Sequence, residues 1–255
     1  MRFAYLFMLV VLFSVAIATT GFCKTELIAA YTFDDGKATD VTGNGNNGEI
    51  KAANSVAGKF GKALEFDGVT SQVVIKSKDS LNFKDGVTVE AWVKPSSFLS
   101  LSAVVQKWGD NTNRRQYLLC FVNDKATMYI SGKGTTFPSA PGKTAVKTGD
   151  WTHIAGTYDM KTIKTYVNGK LDTETANAEG LFASDVPAWI GGYGEAGNAD
   201  FGDNRHFPGV VDEVQYWNGA LTDVEIQQNM AKSVAMAVDR NGKLATRWGS
   251  IKRID

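Results

Sequence analysis

Asn168-Gly169, placed directly after Tyr166-Val167 and before Lys170-Leu171, constrains this chain more than any other pair. Both central residues of a type I′ hairpin take positive φ, and Asn-Gly is the pair that tolerates this best. The stretch Trp151–Lys170 therefore reads as three short antiparallel strands, with a polar turn between the first two and Asn168-Gly169 between the last two. Ile154, Tyr158, Ile163, Tyr166 and Val167 supply the β-branched and aromatic side chains that strands prefer.

The same grammar recurs along the chain. Leu27–Phe33 reads as a first strand, and further strands are expected at 63–66, 72–76, 87–94, 102–107, 117–122 and 127–131, separated by Gly, Asp, Asn and Ser. In the strand from Val87, the residues Val87, Val89, Ala91 and Val93 alternate with Thr88, Glu90, Trp92 and Lys94, a period of two with one apolar face. The stretches 108–116 and 132–147 read as polar insertions. Helical periodicity is missing until Thr222, where Thr222 and Glu225 have capping-box spacing ahead of Ile226 and Met230. Short strands at this spacing predict an all-β sandwich or barrel with one short C-terminal helix.

The N-terminus reads as a processed segment. Met1-Arg2 is followed by an apolar run to Ala18 and by the small-x-small pattern Ala16-Ile17-Ala18, so residues 1–18 form a candidate signal peptide whose cleavage could fall as late as residue 23. That run is shorter than the ~20 residues a membrane helix needs. A lipid anchor on Cys23 is disfavoured by Phe22, since lipoprotein cysteines follow a small residue. The expectation is an exported protein, secreted or at the cell surface. Lys+Arg and Asp+Glu number 27 each, which leaves no basic field for nucleic acid or an anionic membrane. The two cysteines, Cys23 and Cys120, either pair in an oxidising compartment or leave Cys120 as a small buried apolar residue.

Three kinds of chemistry can be weighed. The glucanase pattern Glu-x-Asp-x-(x)-Glu is represented only by Glu65-Phe66-Asp67, with Val69 and Thr70 where the third acid belongs. His153 lies inside a strand, no nucleophile elbow exists to partner it or His206, and two His with two Cys make no zinc spacing. These readings favour a protein that is not an enzyme. The loop 39–48, with Asp34 and Asp35 before it, gathers carboxylate and amide oxygens of the hardness Ca²⁺ prefers, or is simply an Asx-rich turn. Strand alternation puts Asp212 on a face with Val210, Val214 and Tyr216, where it needs a metal ion, a basic side chain or several backbone N–H groups. Trp108, Phe137, Tyr193 and Phe201 stand in loop-like contexts beside polar residues, as aromatic rings that stack on sugars do.

The ordered set of motifs resembles the laminin G-like, concanavalin A-like domain family of secreted bacterial proteins. It comprises Tyr31–Asp34 with 40–45, 63–68, 87–95, 150–155 with 166–170, and Gly209–Val214 with the helix start at Leu221. The resemblance covers about 26–230 and leaves 231–255 as an extension. It implies a two-sheet antiparallel jelly roll and a structural calcium held by Asp34, Asp40, Asn46 and Asp212. It also implies a recognition module for glycans or an extracellular protein partner, with Trp108, Tyr193 and Phe201 as candidate ligand-binding residues. A glycoside-processing enzyme on the same fold and a structural spacer are the alternatives.

Overall fold

The computed structural model describes residues 25–109, 114–192 and 205–236. Strand periodicity and turn chemistry produce two stacked sheets. The first runs from β13 (Lys170–Ala176) through β12 (Thr162–Val167), β11 (Thr152–Tyr158), β6 (Val87–Pro95), β15 (Pro208–Trp217) and β4 (Lys62–Asp67) to β3 (Asn54–Ala57), and β1 (Leu27–Tyr31) pairs with β15. The second runs from β10 (Ser139–Ala145) through β9 (Lys125–Ile130), β8 (Arg115–Val122), β7 (Ser102–Trp108), β14 (Ala188–Ile190) and β5 (Gln72–Ile75) to β2 (Gly48–Lys51). The ladders within both sheets are antiparallel, as in a jelly-roll sandwich.

The alternation in β6 decides what meets between the sheets. Val87, Val89, Ala91 and Val93 enter one buried cluster with Val104, Leu119, Phe121 and Met128 from the facing sheet. Gly156 lets the sheets close at its position, because a Cβ there would sit 2.5 Å from the sulfur of Met128. The turn forecast from Asn168-Gly169 is present, with φ of 50° and 72°, between β12 and β13.

Two strand readings change. The polar insertion at 132–147 contains β10, whose sequence hides it because it is an edge strand with mostly exposed side chains. Its outer backbone is held by a carboxylate of the other sheet: Asp172 accepts from the Lys143 and Thr144 N–H groups and from the Thr144 hydroxyl. In β15 a bulge at Asp212–Glu213, with Glu213 at φ 52°, resets the alternation. Val211, Val214 and Tyr216 face the core, and Asp212, opposite Trp92 of β6, belongs to the other face.

That other face is not left to water. The helix α1 (Asp223–Met230), started by the Thr222–Glu225 capping box, lays Ile226 onto Leu27, Ala30, Ala155, Tyr166, Trp217 and Leu221. Residues beyond the helix belong to the same layer, since Val234 is buried in this cluster and Glu213 accepts from Ser233 Oγ (2.5 Å) and Val234 N (2.6 Å). The folded unit thus extends past residue 230 to at least 234. A chain ending at Met230 is expected to melt about 5–10 °C below one ending at Met236, because a buried carboxylate loses both donors. Paired thermal melts of the two truncations check this.

Cys120 is a free, fully buried thiol in β8. Its sulfur contacts the Thr127 carbonyl at 3.6 Å and packs with Ala103, Trp108 and Leu118 on the far side of the second sheet. Strand β1, the first strand among the described residues, lies in the opposite sheet, about 10 Å away. Of the two readings of Cys120, the buried apolar residue describes its surroundings here; Cys23 lies outside the described residues.

Candidate ligand-binding site

One aromatic stack at the end of the second sheet combines an exposed ring with a rigid base. Trp108, the last residue of β7, is only 4% exposed and meets Tyr129 edge-on at 6.2 Å. The Arg115 guanidinium lies 5.5 Å from the Trp108 ring centre and 5.8 Å from that of Phe137, so it is held between two aromatic faces. Arg115 Nη1 donates to the Thr135 carbonyl at 3.1 Å, which fixes the loop carrying Phe137. Thr136 Oγ1 donates to Glu179, and Ile130 N bonds the Pro138 carbonyl, so the loop is tied at both ends. Phe137 stands 63% exposed on top.

Of the two aromatic candidates among the described residues, Trp108 and Phe137, Phe137 is the one whose ring is exposed. Trp108 serves as its support, buried because it ends a strand rather than sitting in a loop. Tyr193 and Phe201 lie outside the described residues.

The four residues assigned to calcium separate into two networks. Asp40 accepts with Oδ1 from Ala30 N (3.2 Å), Thr42 N (3.1 Å) and Thr42 Oγ1 (2.7 Å), and with Oδ2 from Asn46 N (2.9 Å) and Nδ2 (3.2 Å). The Asn46 amide oxygen accepts from Ser80 Oγ at 2.9 Å. Asp34 and Asp212 serve a different segment, the turn between β3 and β4. Asp34 Oδ1 accepts from Lys62 N at 2.9 Å, and Asp212 Oδ2 accepts from Lys59 N (2.9 Å) and Phe60 N (3.0 Å). Asp212 Oδ1 accepts from Glu213 N at 2.8 Å. Gly61 in this turn has φ +52°, and a Cβ there would fall 1.9 Å from Asp34 Oδ1.

A hard cation needs six to eight oxygens aimed at one point. These oxygens are instead aimed at N–H and O–H donors in two places, and among the described residues no three His, Cys, Asp or Glu side chains converge. As arranged here, the four residues do not form one calcium site. Of the three partners Asp212 could have found, it has the backbone N–H groups. Burial, with the Glu213 charge adding to it, pushes the Asp212 carboxyl up to about 7. Burial likewise raises Glu213, with the Asp34 charge contributing.

Sequence reasoning left His153 without a partner; the fold supplies one. His153 Nε2 lies 3.5 Å from Glu90 Oε2, and both side chains are buried. Glu90 Oε1 accepts from Trp217 Nε1 (3.2 Å) and Asn229 Nδ2 (2.7 Å). Burial pushes Glu90 up to about 8 and His153 down to about 3, so at neutral pH the pair is mainly carboxylic acid and neutral imidazole. Trp92 meets His153 edge-on, donates Nε1–H to the Met230 carbonyl and carries the Lys59 ammonium 4.1 Å over its ring. Roofed by α1, this acid and base fasten the helix to the sheet. The β-strand registers that pair Glu90 with Ala155 and Trp92 with His153 could not be read from either strand alone.

Among solved structures, the fold is similar to domain 4 of a GH43 extracellular arabinanase from Geobacillus stearothermophilus, determined in complex with arabinotriose. The match has a TM-score of 0.64 and 22% identity over 81% of this chain and 99% of that one. The binding domain of Paraclostridial Mosquitocidal Protein 1 gives 0.66 and 16%, and that of botulinum neurotoxin DC in complex with SialylT gives 0.59 and 11%. Each covers 80% of this chain, which spans about half of those domains (51% and 50%). No match was found among curated proteins. The family model described as the concanavalin A-like lectin/glucanases superfamily matches residues 67–227, more than half of the chain, and the protein belongs to that superfamily.

Proposed function

We propose that this is an exported, non-catalytic recognition module that binds carbohydrate, with Phe137 as its stacking platform. The observation that carries the reading is the braced ring: Phe137 is exposed on one face and supported on the other by the Arg115 guanidinium, itself seated on Trp108. A preorganised aromatic face loses little freedom when a sugar ring settles on it, and that is where affinity is gained. The superfamily, and neighbours whose structures hold arabinotriose and SialylT, support a glycan as the ligand. Export rests on the segment 1–18. The absence of the glucanase acid pattern, and the roof over Glu90 and His153, support binding without turnover. Calcium has no part in this proposal, because the candidate ligands hold protein donors.

A glycan array followed by titration calorimetry tests it. Phe137→Ala is expected to weaken binding of the best array ligand at least tenfold, ~1.4 kcal/mol, with an unchanged melting temperature. Affinity in EDTA should equal that in Ca²⁺. Released reducing sugar, or full binding by the variant, would sink the reading. An array with no hits, alongside capture of an extracellular protein at the same face, would move the assignment to a protein partner.

A further inference from the structure

The interior between the sheets contains a group of buried phenols. Tyr31 of β1, Tyr216 of β15 and Tyr117 of β8 are all fully buried. Tyr216 stands between the other two, its ring 6.1 Å from Tyr31 and 6.2 Å from Tyr117 across the sandwich, edge-on to both. Tyr31 donates its O–H to the Asn46 carbonyl at 2.5 Å. The hydroxyls of Tyr117 and Tyr216 bond no protein atom among the described residues.

We propose that these hydroxyls bind an ordered internal water molecule, shared between Tyr117 and Tyr216. A buried hydroxyl without a partner is destabilising, and the large majority of buried side-chain polar atoms in native proteins have one, from protein or ordered water. Tyr117 and Tyr216 come from facing sheets with their rings in edge contact, so the two unpartnered hydroxyls belong to one region of the core. An internal water typically makes two to four hydrogen bonds. Here it takes Tyr117 and Tyr216 as donors or acceptors, and the Tyr31 oxygen, whose proton is already committed to Asn46, as an acceptor. A cation is the wrong class for the site. The phenols are neutral, and the nearby Asp40 carboxylate is engaged by five donor contacts of its own loop.

A high-resolution diffraction map of the wild-type protein provides the direct test. The expected result is one density peak about 2.6–3.2 Å from both hydroxyl oxygens. In solution, ¹⁷O water relaxation dispersion should count one fewer long-lived water in the Tyr117→Phe/Tyr216→Phe double variant than in wild type. A dry interior with the two hydroxyls bonded to each other overturns the proposal, and so does an unchanged count in a folded double variant. The wild-type map decides the matter even if that variant does not fold.

Discussion

Glu90→Gln is expected to stabilise the protein, and to do so most at alkaline pH. The Glu90 carboxyl is raised by burial from 4.5 to about 8, so the folded state holds its proton more tightly than the unfolded chain does. This favourable contribution is complete below about pH 4.5 and is lost as pH rises through about 8. Wild-type stability should therefore fall by roughly 5 kcal/mol across that window from this group alone, with about 3 kcal/mol already gone at pH 7. Glutamine copies the neutral acid: its carbonyl still accepts from Trp217 and Asn229, and its amide can donate to His153. Urea denaturation at pH 5 and pH 9 is the measurement, with the variant gaining a few kcal/mol at pH 9 and little at pH 5. Glu90→Leu should destabilise at both values, because it leaves two buried N–H donors unpaired. A loss of stability for Glu90→Gln at pH 9 would mean the ionised form is the one the fold prefers.

Asp212→Ala should cost about 2–4 kcal/mol at pH 6, by equal amounts in Ca²⁺ and in EDTA. Three backbone N–H groups, those of Lys59, Phe60 and Glu213, lose their acceptor together. At pH 6 the carboxyl, raised to about 7, is mainly protonated and still accepts. Asp212→Asn keeps an acceptor oxygen and should recover most of the loss. Under the calcium reading the outcome differs: Ala would be costly only with the ion present. Melting curves of the three proteins in the two buffers separate the readings.

Local chemistry made much of the fold legible. Asn168-Gly169 announced its hairpin, the Thr222–Glu225 spacing announced α1, and the alternation in β6 gave its core face. The misreadings come from residues whose meaning depends on distant chain. β10 looks like a loop until Asp172 of the opposite sheet supplies its bonds. Asp212 looked core-facing because a bulge cannot be seen in a pattern of alternating residues. Glu90 stands on the face of β6 opposite the apolar one, and nothing near residue 90 says that residues 223–234 will cover it. For the site, Phe137 was visible as an exposed-type aromatic. Arg115 was not, since its role depends on Trp108 and Phe137 meeting it from either side.

Strand β15 has a consequence in time as well as in space. It lies inside the first sheet, touching β6, β4 and β1, yet it is the last strand in chain order among the described residues. While the chain is being made, β1 and β4 wait without their neighbour until residue 217 emerges. Folding thus depends on contacts between the two ends of the domain, the kind that form slowly. Under the proposed export such late closure would be an advantage, since the first sheet cannot be completed before β15 is available.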